Sequence, residues 1–337
     1  MSKRILFAIL AVILIVTLGV VFILWPRPPK GYSGRMESIA VAYSPFESST
    51  LFLVAEDRQF FVRNGLKLTL HRSDSGAAAL DDMLNGKGDV AVSVAEFPLV
   101  RKVFQGTRVR AVASIDKAEY IYIVARKDRG IRNPSDLKGK QIGTAAGSIA
   151  EFYLGRFLSL HGLGIRDIRY VSVKTPQETS NAVAEGSLDA VAAAQPYADL
   201  IKDRLGENAV VWPAQSSQAL YALVVSTDGW IAGHREHITR FLRVLAEAEE
   251  YTSAHPAETK AIVQRRLGLD PGYMDTVWRQ NQFALNLDQS LITAMEDEAR
   301  WMIKNNLVNE KDVPNFLDYI YEDALKAIRP QVVTIIR

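Results

Sequence analysis

Asn85-Gly86-Lys87-Gly88-Asp89-Val90-Ala91 and Gly186-Ser187-Leu188-Asp189-Ala190-Val191 are the two stretches whose reading decides the fold. Each follows a helical pattern, Ala79–Leu84 in the first case and Thr179–Glu185 in the second. Each then runs through a glycine turn and an aspartate into a short apolar strand. The recurrence predicts two αβ lobes of similar design with a ligand held between them.

Upstream of the first stretch, Ile39–Tyr43 reads as a strand, and Ser49 or Thr50 caps a helix through Leu51, Leu53, Val54 and Phe60. Asn64-Gly65 turns into a strand at Leu66–Leu70, and Ser73, Asp74 and Ser75 precede a helix over Ala77–Leu84. Strand Val90–Val94, helix Pro98–Gln105 and strand Val109–Ser114 follow. This βαβα alternation predicts a mainly parallel sheet covered by helices.

Tyr120–Ala125 is a strand that leaves this lobe, because Arg126–Asn133 is charged and turn-rich and a new series begins beyond it. That series runs Gln141–Gly143 (strand), Ile149–Leu160 (helix), Ile168–Val173 (strand), Glu178–Ala184 (helix) and Ala190–Ala194 (strand), with Val210–Trp212 and Tyr221–Ser226 as the return path. Residues 35–122 and 215–330 are then a discontinuous first lobe and 123–214 the second. The C-terminal part carries helical patterns at Ile238–Ser253, Pro256–Leu267, Leu291–Asn305 and Pro314–Ile328, whose apolar residues read as core.

At the amino end, Ile5 to Trp25 is a 21-residue run without a charge, enough to span about 30 Å of hydrocarbon as a helix. The expectation is an uncleaved membrane anchor with the large domain on the extracytoplasmic side, residues 1–30 being anchor and stiff spacer. Cleavage after export is the alternative. Lys3, Arg4, Arg27 and Lys30 precede the outer domain, which leaves 36 of the chain's 40 basic residues against 38 acidic ones. A nucleic-acid partner is therefore not expected. The chain has no cysteine, which excludes disulfides, thiol catalysis and lipidation at cysteine. The five histidines form no metal-ligand spacing and no nucleophile motif is recognisable, so no catalytic residue, metal or cofactor is expected.

In an open αβ sheet the ligand sits at the carboxyl ends of strands and the amino ends of the following helices. Those places are Tyr43–Ser49, with Tyr43, Ser44 and Glu47; Ser73–Gly76, with Ser75 and Gly76; Ser93–Glu96; Thr144–Ser148, with Gly147; and Gln195–Tyr197. Thr144-Ala145-Ala146-Gly147-Ser148 is the sharpest, because a small glycine turn lets backbone approach a ligand while hydroxyls add donors. Ser148 and Ser75 read equally as helix caps. Asp74, Glu47 and Glu96 work against a simple anion site and leave room for an amine. Tyr43, Phe46, Phe97, Tyr153, Tyr197 and Trp212 lie near these rims, with core packing the plainer role for each and Tyr43 and Tyr197 the best candidates for ligand contact.

The run Asn133-Pro-Ser-Asp-Leu-Lys-Gly-Lys-Gln-Ile-Gly-Thr-Ala-Ala-Gly-Ser148, with Ile165-Arg-Asp-Ile168, Glu185-Gly-Ser-Leu-Asp-Ala190 and Gln195-Pro-Tyr197, resembles the nitrate, sulfonate, taurine and thiamine-precursor group of ABC-transporter substrate-binding proteins. The resemblance covers about residues 38–328. It implies a two-lobed type II periplasmic-binding-protein α/β fold and a monomeric domain. It further implies a small-molecule ligand, and delivery to a permease driven by a separate ATPase. It points first to Ser44, Ser75, Gly76, Ser93, Glu96, Ser148 and Gln195. The chain departs from the group at Gln195, where Trp or Glu is common, and in its expected anchor. A sulfonate or taurine-like ligand is expected ahead of a pyrimidine or thiamine precursor and of nitrate. The other readings are a tethered sensor or scaffold that does not deliver its ligand, and an enzyme on the same scaffold.

Overall fold

The computed structural model describes residues 34–337. The expected membrane segment at residues 5–25 lies outside them, and among the described residues no helix is long and apolar enough to cross a membrane.

Two sheets organise the chain. The first draws on β1 (Glu37–Tyr43), β2 (Leu66–Arg72), β3 (Val90–Ala95), β4 (Val109–Ala118), β10 (Leu220–Thr227) and the two-residue β11 (Asn281–Gln282), in the order β11-β4-β10-β3-β1-β2. The second draws on β5 (Ile121–Arg126), β6 (Gln141–Ala145), β7 (Arg169–Val173), β8 (Ala190–Ala194) and β9 (Ala209–Pro213), in the order β7-β6-β8-β5-β9.

The expectation of mainly parallel sheets is corrected: both are mixed. β1 pairs in parallel with β2 and β3, but β10 lies between β3 and β4 and runs against both. Likewise β6 is parallel to β7 and β8, while β5 runs against β8 and β9. The reversed long strand in each sheet follows a crossing from the other sheet, β5 after Ala118 and β10 after Pro213. A strand arriving without a helical crossover has no geometric reason to run parallel.

Helices cover the sheets. Those between the strands are α1 (Thr50–Asp57), α2 (Phe60–Arg63), α3 (Gly76–Asp82), α4 (Glu96–Phe104), α5 (Ile149–Leu160), α6 (Pro176–Ala184) and α7 (Tyr197–Leu205). The C-terminal set is α8 (Asp228–Gly233), α9 (Arg235–Ala254), α10 (Pro256–Leu267), α11 (Pro271–Trp278), α12 (Gln289–Lys304) and α13 (Asp323–Ile328). On α9, Ile238, Phe241, Leu242, Leu245 and Ala248 recur at helical spacing and are buried. Phe241 packs on Phe61 with ring centroids 5.1 Å apart.

Two helical expectations break, one at a left-handed residue and one at a tertiary contact. The helix expected through Phe60 stops because Gln59 takes a left-handed conformation, φ 58°. The stretch expected as one helix over Pro314–Ile328 splits into a 3₁₀ turn at Phe316–Tyr319 and α13. Between them Ile320 bridges to Ala111 on β4, and Tyr321 N–H donates to Ala111 O at 2.9 Å. β11 covers only the Lys117–Ala118 end of β4, so the rest of that edge takes its partners from Asn286 and this segment.

Candidate functional site

The carboxyl ends of β1 and β3 meet those of β6 and β8 around a cavity of about 100 Å3. From the first sheet come the hydroxyls of Ser44, Ser48, Ser75 and Ser93, and from the second those of Thr144, Ser148 and Thr179. Tyr120 and Tyr221 stand beside the crossings, and small residues such as Ala95, Ala145 and Ala193 fill the walls. No Asp, Glu, Lys, Arg or His lines this inner pocket.

Local backbone explains why the hydroxyls converge. Ser93 is a bulge: Leu223 and Val224 on β10 face Val94 and Val92, leaving Ser93 unpaired with φ 61°. Its carbonyl accepts from Ser44 Oγ at 3.1 Å, and its hydroxyl bonds to that of Ser48. Gly76 is required by close approach, since a Cβ there would sit 2.4 Å from Ser93 O.

Ala95, Ser148 and Pro176 stand at the starts of α4, α5 and α6, and all three line the pocket. Neither α4 nor α5 receives a capping bond from its N-cap side chain, so their first turns present a positive dipole end to the pocket. Ser148 is thus not a side-chain cap; its hydroxyl donates to Ala145 O at 2.6 Å. Ser75 does cap α3, accepting from Ala78 N at 3.1 Å.

Of the residues expected at the site, Ser44, Ser75, Gly76, Ser93, Thr144 and Ser148 line the inner pocket. The other six lie around it. Tyr43 packs on Phe52, centroids 5.3 Å apart. Gly147, φ 77°, donates to Glu151 Oε2 at 2.7 Å and lies against Arg101. Gln195 accepts from Asp199 N–H at 3.3 Å. Glu96 is fully buried behind Tyr221, whose N–H donates to its Oε2 at 2.9 Å, and burial pushes its carboxyl up to about 8. Glu47 and Tyr197 line a neighbouring outer cavity of about 300 Å3, together with Arg72 and Asp74. Phe46 and Pro176 border both cavities, and Phe46 meets Tyr197 edge-on across them at 6.5 Å.

Sequence reasoning missed Ser48, Tyr120, Thr179 and Tyr221. Ser48 lies inside the Tyr43–Ser49 rim and was within reach of that argument. Thr179 faces the cleft only because α6 starts at its edge, which no local pattern states. Phe97 and Tyr153 are core residues, as their plainer reading had it.

The crossings between the sheets lie together. Gln215, 1% exposed, accepts from Ile121 N–H at 2.8 Å and donates to Ala118 O at 2.9 Å, so one side chain on the return path holds both ends of the outward one. Among the described residues no group of three or more His, Asp or Glu could hold a metal ion.

Two mixed sheets joined by two crossings, with a largely apolar pocket bearing hydroxyls between strand ends, define a two-lobed type II periplasmic-binding-protein fold. The chain belongs to the NMT1/THI5-like family, whose model matches residues 47–259. Among curated relatives, a Bacillus subtilis protein that carries the name aliphatic sulfonates-binding protein is 23% identical over 316 residues, covering 90% of this chain and 94% of its own length. A 4-amino-5-hydroxymethyl-2-methylpyrimidine phosphate synthase of Aspergillus parasiticus is 22% identical over 221 residues, 60% of this chain and 63% of that protein. The fold is shared with the alkanesulfonate-binding protein SsuA of Xanthomonas axonopodis pv. citri bound to MOPS, at TM-score 0.74 and 18% identity over 86% of this chain and 100% of that one. It is also shared with the periplasmic aliphatic sulphonate binding protein SsuA of Escherichia coli, at TM-score 0.68 and 19% identity over 82% and 94%.

Proposed function

We propose that this chain is the extracytoplasmic solute-binding component of an ABC importer, tethered through residues 5–25 and active as a monomer, which captures a small sulfonate-type anion or zwitterion and delivers it to a permease. The observation that carries this reading is the inner pocket. Hydroxyls from both sheets and the uncapped starts of α4 and α5 converge on a space without a charged side chain. The N–H groups of these helix starts offer oriented donors to an oxyanion without a bound counter-charge, and the hydroxyl protons of Ser44, Thr144, Ser148 and Thr179, given to backbone carbonyls in this structure, turn to the ligand when it binds. Its apolar walls suit the short alkyl part of an alkanesulfonate. Binding rather than catalysis is the reading we favour, because no carboxylate, imidazole or amine lines the pocket to activate one of its hydroxyls as a nucleophile.

Residues 35–122 and 215–330 act as one lobe and 123–214 as the other. A ligand touching both shifts the pair toward closure, since it gains its second set of contacts only there. The relatives named for sulfonates favour that class over nitrate and over a pyrimidine. The test is a thermal-shift screen of the full chain against small sulfonates, taurine, nitrate and pyrimidines, with calorimetric titration of each hit. Saturable one-to-one binding of a sulfonate is expected. Stabilisation by a pyrimidine alone would replace the substrate class, and no stabilisation by any of them would overturn the transport reading.

A further inference from the structure

Behind the pocket lie two acids that the hydroxyl site does not use. Glu96 opens α4, and Glu298 stands on α12, which packs on α4. Each is 0% exposed. Glu96 Oε2 accepts from Tyr221 N–H at 2.9 Å, while Glu96 Oε1 and both oxygens of Glu298 have no hydrogen-bond partner. Carboxyls buried in this way are held neutral, because an ionised one without a partner is costly.

The elements packed on α4 supply neither acid with a cation. On α12, Asp297 adds a negative charge, and Arg300 is taken by Asp297 and Glu296. On α5, Tyr153 feels both acids and Arg156, and Glu151 holds Arg101. From β10 comes Tyr221, whose hydroxyl bonds to Asp288, and from β4 the further acid Asp116, with Lys117 taken by Asp288 and Arg110 by Asp228. Asp81 and Asp82 of α3 pair with Lys102 and Lys87, and β3 carries no charged residue. Glu96 itself does not line the pocket, but Ala95, Pro98 and its partner Tyr221 do. Pro98 has no N–H, so of the first three residues of α4 only Glu96 and Phe97 can donate to a ligand. The N–H of Glu96 also favours the ionised form of its own carboxyl, so that form and a bound oxyanion draw on the same helix start.

We infer that Glu96 is a proton-operated control on the pocket: the start of α4 holds an oxyanion firmly only while the Glu96 carboxyl is neutral, and ionisation of that carboxyl loosens the ligand. Glu298 fills the place in which a lysine or arginine would fix Glu96 in its charged form. The inference rests on the oxyanion reading of the pocket and adds to it a dependence on pH. Burial raises Glu96 to about 8, so affinity is full below that pH and falls as pH rises through it. A bound anion strengthens the hold of Glu96 on its proton by the same factor as the proton strengthens the hold on the anion. Binding above pH 8 therefore takes up protons from the medium.

The test is calorimetric titration of the full chain, and of its Glu96→Gln and Glu298→Gln variants, with ethanesulfonate, whose own charge does not change with pH. Tris and borate serve as buffers, because neither is a sulfonate and their heats of ionisation differ enough to count protons. The natural chain is expected to bind at least fivefold more weakly at pH 9.5 than at pH 7 and to take up about half a proton per anion at pH 8.5. Glu96→Gln should bind within about twofold at the two pH values, with no proton uptake. Glu298→Gln should keep the decline, which separates it from any loss of stability at high pH, and a circular-dichroism melt at each pH confirms that every chain is folded. An affinity that hardly changes in the natural chain, a decline that survives Glu96→Gln, or one that disappears in Glu298→Gln overturns the control while leaving the oxyanion reading intact. Absence of binding at every pH overturns that reading and the control with it.

Discussion

The Arg101 guanidinium lies 3.4 Å from the Glu151 carboxylate and ties α4, on the first sheet, to the first turn of α5, on the second. Glu151 is held in place from its own side by Gly147 N–H at 2.7 Å and Tyr170 Oη at 2.9 Å. A partly exposed pair of this kind contributes about 1 kcal/mol, and it forms only while the sheets are together. Arg101→Gln is therefore expected to weaken ligand binding about fivefold, mainly through faster dissociation, with little change in unfolding midpoint. Stopped-flow kinetics measures both rates; an unchanged off-rate would mean that the pair takes no part in closure.

The hydroxyls are expected to matter more than the Gln195 amide. Ser93→Ala with Ser148→Ala should lower affinity at least tenfold, about 1.4 kcal/mol, whereas Gln195→Ala should cost less than threefold, because Gln195 serves Asp199 N–H rather than the inner pocket. Calorimetry with any ligand found in the screen decides the order, and the reverse order would move the ligand toward α7.

Gly76 is expected to tolerate no side chain. Its Cβ would meet backbone, Ser93 O at 2.4 Å and Val94 Cα at 3.1 Å, so the clash cannot be relieved by a rotamer. Gly76→Ala should destabilise the domain by about 1–3 kcal/mol and weaken binding through the displaced bulge. Urea unfolding of the variant measures the first effect, and a midpoint equal to that of the natural chain would refute it.

Stability should depend on two carboxyls behind the site. Glu96 and Glu298, on the packed helices α4 and α12, are fully buried, and both oxygens of Glu298 lack a partner. Burial raises Glu96 to about 8 and Glu298 well above its ordinary value, and the charge of Glu96 adds to the rise at Glu298. For an acid raised on folding, the folded state holds the extra proton. Its contribution is thus fully present below about pH 4.5 and is lost as pH rises toward 8. Glu298→Gln should flatten this decline and raise the melting temperature above pH 8 by several degrees. Parallel melting curves of variant and natural chain from pH 5 to 9 would count against the buried pair.

Gln215→Ala should cost about 1–3 kcal/mol, because it leaves Ile121 N–H and Ala118 C=O without the partner that serves both. It should also broaden the range of angles between the sheets. Chemical denaturation tests the first claim and small-angle scattering of the unliganded chain the second; a stability loss within error would show that water replaces the amide.

Much of the site was legible because its signals are local. Ser44, Ser75 and Ser148 follow a strand and Ser93 and Thr144 stand near the end of one, and strand ends in an αβ unit share one edge of the sheet. Glu96 was recognised but not its partner Glu298, since an acid on an amphipathic helix reads as exposed until packing of α12 on α4 buries it.

What the sequence by itself determined is the repeated αβ unit. Asp89 and Asp189 occupy the same place in it: Asp89 Oδ2 accepts from Ala40 N–H at 2.8 Å while its own N–H donates to Ala40 O at 2.7 Å. Asp189 does the same with Gln141, both at 2.9 Å. A glycine turn, an aspartate and an apolar strand specify this joint through short-range chemistry. Only the tertiary structure decided which strands pair and which acids meet. β3 is almost wholly buried, so its residues carry no alternation that names a neighbour. The place between β3 and β4 goes to β10, a strand more than 100 residues later, because burial of both faces and completion of the backbone hydrogen bonds are properties of the assembled sheet and not of any one segment.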